Sequence, residues 1–216
     1  MQKVIVLFAL FFLAGHANRL QGAETSSDAP EHTRDSTAAF KPARSFKEAL
    51  EIWQTPEDIN GWIAANFSYD MKRAMQLSET QRTNYAPPLS IYPPDEFFDI
   101  KAGVCVDLAR FGVETLRRID PQSDPKYLMI EFDPVHIAGN TLRLHWLVSF
   151  KRDGKAYFFA DSKRPGHIAG PYSDTREFIN VYEQYRVRKI VAFRELESYK
   201  KKRGTQKLKL QAPEKP

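Results

Sequence analysis

Apolar residues recur at helical spacing in the first half of the chain and at strand spacing in the second. Ser45 to Trp53 reads as a short helix, and a second starts at Thr55, a capping residue followed by Pro56 at the first helical position. Ile59, Trp62, Ile63 and Phe67 then form the i, i+3, i+4, i+8 stripe of a core-facing helix. Pro87, Pro88, Pro93 and Pro94 break any helix there, and a short turn restarts at Pro94-Asp95-Glu96-Phe97-Phe98. From Val104 a seam of Val104, Leu108, Phe111, Gly112, Thr115, Leu116 and Ile119 predicts a longer helix, ended by Pro121. Three strands follow, Tyr127 to Phe132, Leu142 to Lys151 and Lys155 to Asp161, rich in β-branched and aromatic residues. A helix over Ser173 to Tyr185 and a strand over Val187 to Glu195 complete the pattern. Helices first and an antiparallel sheet afterwards predict an α+β fold.

The ends differ from this core. Lys3 precedes the apolar run Val4 to Ala14, and Gly15-His16-Ala17 is a small-x-small cleavage sequence, so residues 1–17 read as a signal peptide with Ala23 as a later alternative. The run is about half the ~20 residues that span a bilayer, so stable membrane insertion is not expected and the mature chain is expected in the periplasm or outside the cell. Residues 24–44 carry few large apolar groups and read as a disordered spacer. Residues 45–195 make one domain and 196–216 a basic tail. The net charge of +5 is unevenly spread: Arg186 to Pro216 carries eleven Lys and Arg against three Glu. Such a tail is either a solvated terminus or a contact for an acidic envelope component. Export argues against a nucleic-acid partner.

Export also changes the meaning of Cys105, the single cysteine. A thiol with no partner in its own chain is buried and inert, functional, or a site of intermolecular disulfide formation. Its position in Gly103-Val104-Cys105-Val106-Asp107, where a loop enters a helix, favours function, because unpaired N–H groups and the helix dipole stabilise a thiolate. Histidine and carboxylate partners come from the hairpin. With Arg152-Asp153-Gly154 as a three-residue loop, Lys151 lies opposite Lys155 and His145 opposite Asp161, ~5 Å apart at Cβ on one face. A two-residue Asp-Gly turn puts them on opposite faces. In the longer-loop register His145, Leu147, Ser149, Tyr157, Phe159 and Asp161 share a face, against which the Cys105 helix is expected to pack. Taken singly, His145 is equally a core histidine and Asp161 a brace for the following turn. One cysteine without nearby histidines does not make a zinc site, and no calcium-loop sequence is present, so no metal or other cofactor is expected.

Gly103-Val104-Cys105-Val106-Asp107-Leu108-Ala109, Leu144-His145-Trp146-Leu147-Val148 and Tyr157-Phe158-Phe159-Ala160-Asp161 resemble, in this order, the three motifs of the transglutaminase-like superfamily of papain-like cysteine enzymes. Trp62 to Asp70 resembles the segment that precedes them in that domain, so the likeness spans roughly Ser45 to Phe193. It implies a nucleophile helix packed on an antiparallel sheet and a Cys105, His145, Asp161 triad for acyl transfer at a peptide or isopeptide amide. The Cys105 amide is a natural oxyanion donor, with Tyr69 and Trp62 as candidates for a second. Similarity to exported bacterial cysteine proteinases implies a peptide or protein substrate and hydrolysis in preference to crosslinking. Leu144, where a small residue would be more comfortable, and the charged Ser162-Lys163-Arg164-Pro165 depart from the pattern. The alternative is a non-catalytic binding module of the same fold in the cell envelope.

Overall fold

Thr55 opens the second helix by a reciprocal cap: its Oγ1 accepts the Asp58 N–H at 3.3 Å while the Asp58 carboxylate accepts the Thr55 N–H at 3.1 Å. The preceding helix α1 (Phe46–Ile52) is capped one way, by the Ser45 hydroxyl accepting the Glu48 N–H, and α2 (Pro56–Asn66) follows with Pro56 as its first residue. The computed structural model describes residues 40–81, 84, 87 and 89–200. The expected signal peptide, most of the spacer and the tail beyond residue 200 lie outside these. Among the described residues no helix is long and apolar enough to cross a membrane.

Along the chain come β1 (Ser68–Tyr69), α3 (Met71–Gln76), α4 (Pro94–Ile100), β2 (Ala102–Gly103) and α5 (Cys105–Ile119). Then follow β3 (Lys126–Ile137), β4 (Asn140–Arg152), β5 (Lys155–Phe159), β6 (Ala169–Tyr172), α6 (Thr175–Arg186) and β7 (Ile190–Leu196). The last five strands form one antiparallel sheet in the order β6-β5-β4-β3-β7. The α+β architecture expected from the patterning is the one observed. The sequence pattern missed β6, α3 and the short parallel pair β1-β2, which are too brief to carry a period of their own.

Both faces of the sheet are covered, and the strand alternation sorts the core into two. Trp146, Val148, Phe150 and Phe159 pack with Trp53, Trp62, Leu108 and Phe111 of the helices α1, α2 and α5. Leu128, Ile130, Phe132, Leu147 and Phe158 pack on the other side against Phe178, Ile179 and Tyr182 of α6. Gly112 lets α5 lie close to the sheet: a Cβ there would stand 2.6 Å from Val148 Cγ2. Trp62 lies at the centre of an aromatic group, 5.0 Å from Phe98 and 4.7 Å from Phe111 by ring centroid, so it fills the core and offers no oxyanion donor.

The hairpin differs from the expected register. Arg152 pairs with Lys155 and Val148 with Phe159, so the loop is the two-residue turn Asp153-Gly154, with both residues at positive φ (51° and 71°). That is a turn whose twist matches two right-handed strands. Shifting the pairing by one residue moves Phe159 to the Trp146 side and Phe158 to the His145 side. As a result α5 packs on the Trp146 face and α6 on the face of His145, the reverse of the expected helix placement.

Candidate active site

Residue Cys105 is the first residue of α5, and the chain enters that helix in extended form at Val104 (φ −114°, ψ 177°). The turn is held by Asp107, which is fully buried. Its carboxylate accepts the Val104 N–H at 3.0 Å, the Tyr92 N–H at 3.0 Å, and both Nε (2.7 Å) and Nη2 (2.8 Å) of buried Arg73. Arg73 comes from α3 and also lies 3.7 Å from the centre of the Tyr92 ring. Two segments distant in sequence are thereby locked to the tip of α5, and four donors offset the desolvation of one carboxylate. Neither Arg73 nor the part played by Asp107 was legible from the motif, because the partner is 34 positions away.

Cys105 is 5% exposed and lines a cavity of about 480 Å³. Tyr69 lies in its wall, brought there by the β1-β2 pairing of Tyr69 with Gly103, and so do Leu142, Leu144 and Trp146 of β4. His145 lies between the last two in sequence and turns its ring to the α6 side. There it is 0% exposed, with its ring centroid 6.1 Å from Tyr182 and 6.4 Å from Phe132.

His145 Nε2 lies 3.2 Å from Asp161 Oδ1. In the two-residue-turn register, uninterrupted alternation would have sent these side chains to opposite faces. The alternation is interrupted at Ala160, whose φ of 60° ends β5 at Phe159 and turns Asp161 back toward the histidine. Two features that the sequence pattern did not predict, the shorter turn and the left-handed alanine, therefore cancel, and the histidine and the acid still meet.

Asp161 holds two further donors: the Lys163 N–H at 2.9 Å on Oδ1 and the Tyr182 hydroxyl at 2.9 Å on Oδ2. Arg186 Nη1 in turn donates to the Tyr182 oxygen at 2.7 Å. Burial by itself would raise the Asp161 carboxyl. The hydrogen bond and charge of His145, with Arg186 and the Lys163 amide, outweigh it and hold the group well below the usual carboxylate range. Burial and the neighbouring Asp161 charge push the Tyr182 phenol well above its ordinary value, so it stays a hydrogen-bond donor. Tyr182 belongs to a helix that the pattern predicted over Ser173 to Tyr185 without any part in the site, and Arg186 is the residue just past that predicted end. Their part in the site was visible only from the tertiary contacts.

The structure thus joins His145 to Asp161 and sets Cys105 in the same cavity as the β4 residues on either side of His145. Among the described residues no group of three or more His, Cys, Asp and Glu is placed to hold a metal ion. A family model described as a transglutaminase-like domain matches residues 42–191, which contain every element from α1 to α6 and all three motif segments. No curated protein matches the chain.

Proposed function

Because this chain belongs to the transglutaminase-like family, we propose that it cleaves an amide through a thioester on Cys105, with His145 as proton carrier and Asp161 as its anchor. The carrying observation is the buried His145–Asp161 hydrogen bond, in the strand whose neighbouring residues share the Cys105 cavity. The β4-β5 ladder ends at Val148 and Phe159, so β4 is not laddered to β5 at His145, and the proposed reaction requires the sulfur to reach the ring past that open stretch of strand.

With Nε2 on Asp161, the ring atom that takes the thiol proton is Nδ1. The thiolate attacks the carbonyl carbon, forming a C–S bond, and the Cys105 N–H at the head of α5 donates to the developing oxyanion. The C–N bond then breaks and the amine departs with the proton held by His145, leaving the thioester. Water, losing a proton to His145, adds to that carbon. The C–S bond breaks, the acid is released and the thiol returns. An amine in place of water gives transfer by the same steps; hydrolysis is the proposed reaction.

Alkylation of the single cysteine with iodoacetamide, followed by mass mapping as a function of pH, tests this. The wild-type midpoint is expected at least one unit below the ordinary thiol value of about 8.5. In His145→Ala it should return toward that value, with labelling at pH 7 slowed roughly tenfold, since one unit of pKa is a factor of ten in thiolate. Slow labelling that His145→Ala leaves unchanged would overturn the nucleophile. The chain would then be a binding module of this fold, a reading favoured by the burial of Cys105 and His145.

A further inference from the structure

We infer that the cavity beside Cys105 is a subsite for an uncharged, apolar side chain of a peptide acyl donor, and that it disfavours charged ones. This deepens, and rests on, the reading of Cys105 as the nucleophile.

Its volume of about 480 Å³ lies within the ~300–1,000 Å³ of small-ligand sites. Much of its wall is aliphatic or aromatic, with Leu77, Leu89, Leu144 and Trp146 among the lining residues. Burying an apolar side chain there gains the usual area-proportional transfer energy, whereas a charged one would be desolvated without a partner.

The ionic groups at the wall are already committed to one another. Arg143, in the lining, donates through Nε to Glu79, also in the lining, and its Nη1 lies 3.1 Å from Glu131. The one carboxylate and one guanidinium of the lining are thus paired, so a charged side chain of either sign meets desolvation without a free partner. The order of preference that follows is apolar before charged.

The rest of the lining is polar, including Ser78 and Thr141 in the segments that tie residues 78–80 to the β3-β4 hairpin. Ser78 donates to Asn140 at 2.9 Å, and the Thr141 N–H donates to Thr80 at 3.0 Å. A peptide carries amides that can exchange bonds with such groups, whereas an alkyl chain would only desolvate them. That contrast selects a peptide over a fatty acyl group.

Peptidyl chloromethyl ketones of the form acetyl-X-Ala, with X as Leu, Lys or Glu, test the inference on the full-length protein, with a decanoyl-Ala analogue as the lipid control. In each, the sulfur displaces chloride from the methylene carbon, so a C–S bond forms as C–Cl breaks and the thiol proton passes to His145. Rates are taken relative to iodoacetamide, which needs no subsite. The Leu probe is expected to label at least tenfold faster than the Glu and Lys probes, with decanoyl below Leu. Leu144→Lys, at a half-buried position paired with Glu131, should reduce the Leu-to-Glu ratio at least tenfold.

Equal relative rates for Leu and Glu, or a decanoyl probe faster than Leu, would overturn the subsite while leaving the nucleophile intact. If iodoacetamide itself is slow and insensitive to His145→Ala, the nucleophile reading falls. Equilibrium binding of the same peptides as plain amides then decides the subsite separately: tighter binding of the Leu peptide supports it, and equal binding overturns it.

Discussion

Removing one oxygen from Tyr182 isolates the energetics of the buried pair. In Tyr182→Phe the ring keeps its stack on Phe178, whose centroid is 5.0 Å away, while Asp161 Oδ2 loses a donor at 2.9 Å. A hydrogen bond to an ionised, buried carboxylate contributes about 1.5–3 kcal/mol. Arg186 also loses its acceptor, but it is half-buried and water can replace it. The expected loss is therefore about 2 kcal/mol at pH 7, read from urea unfolding with an unchanged m value.

The same bond has a pH signature. A carboxyl depressed on folding contributes stability that is fully present above its unfolded value of about 4, and that is lost as pH falls toward the lower folded value. Without the tyrosine donor the depression is smaller, so less stability is lost on acidification. The gap between wild type and Tyr182→Phe should be widest near pH 7 and should narrow below pH 4. A gap under about 0.5 kcal/mol at pH 7, or one independent of pH, would refute the argument that Tyr182 stabilises the Asp161 charge.

Two further outcomes follow from the geometry. Asp107→Leu strands buried Arg73 and takes the acceptor from the Val104 and Tyr92 N–H groups, and is expected to cost about 3–5 kcal/mol; adding Arg73→Met should recover only the part due to the stranded guanidinium, as measured by thermal unfolding. An additive double variant would show that the pair is not the cause. Gly154 sits at φ 71° with nothing within 4 Å of its missing Cβ, so Gly154→Ala should cost about 1–2 kcal/mol through backbone strain alone. Gly154→Asn should cost less, because asparagine tolerates that region. Equal losses in urea unfolding would contradict the two-residue turn.

Much of the helical layer was legible because its causes are local. Thr55, Asp58 and Pro56 act within four positions of one another, and so do the stripe of Ile59, Trp62 and Ile63 and the stop at Pro121. The place of Cys105 at a helix tip follows from the same kind of signal. The strands were found by composition, but β3 extends to Ile137, past the predicted end at Phe132. Its continuation passes through an irregular register between Glu131 and Val135 that no alternation could announce.

By itself, the sequence determined the longer helices and strands, the α+β class, and the order of the Cys105, His145 and Asp161 segments. The tertiary structure decided which face of the sheet each helix covers, that Ala160 turns Asp161 back to His145, and that Tyr182 and Arg73 complete the polar contacts. The division has a physical cause. Caps and periods are fixed by free energies within a few residues, whereas a two- and a three-residue hairpin differ little locally yet exchange every side chain between the faces. The choice between them is made by packing against α5 and α6, groups that the strand meets only once the whole chain has folded.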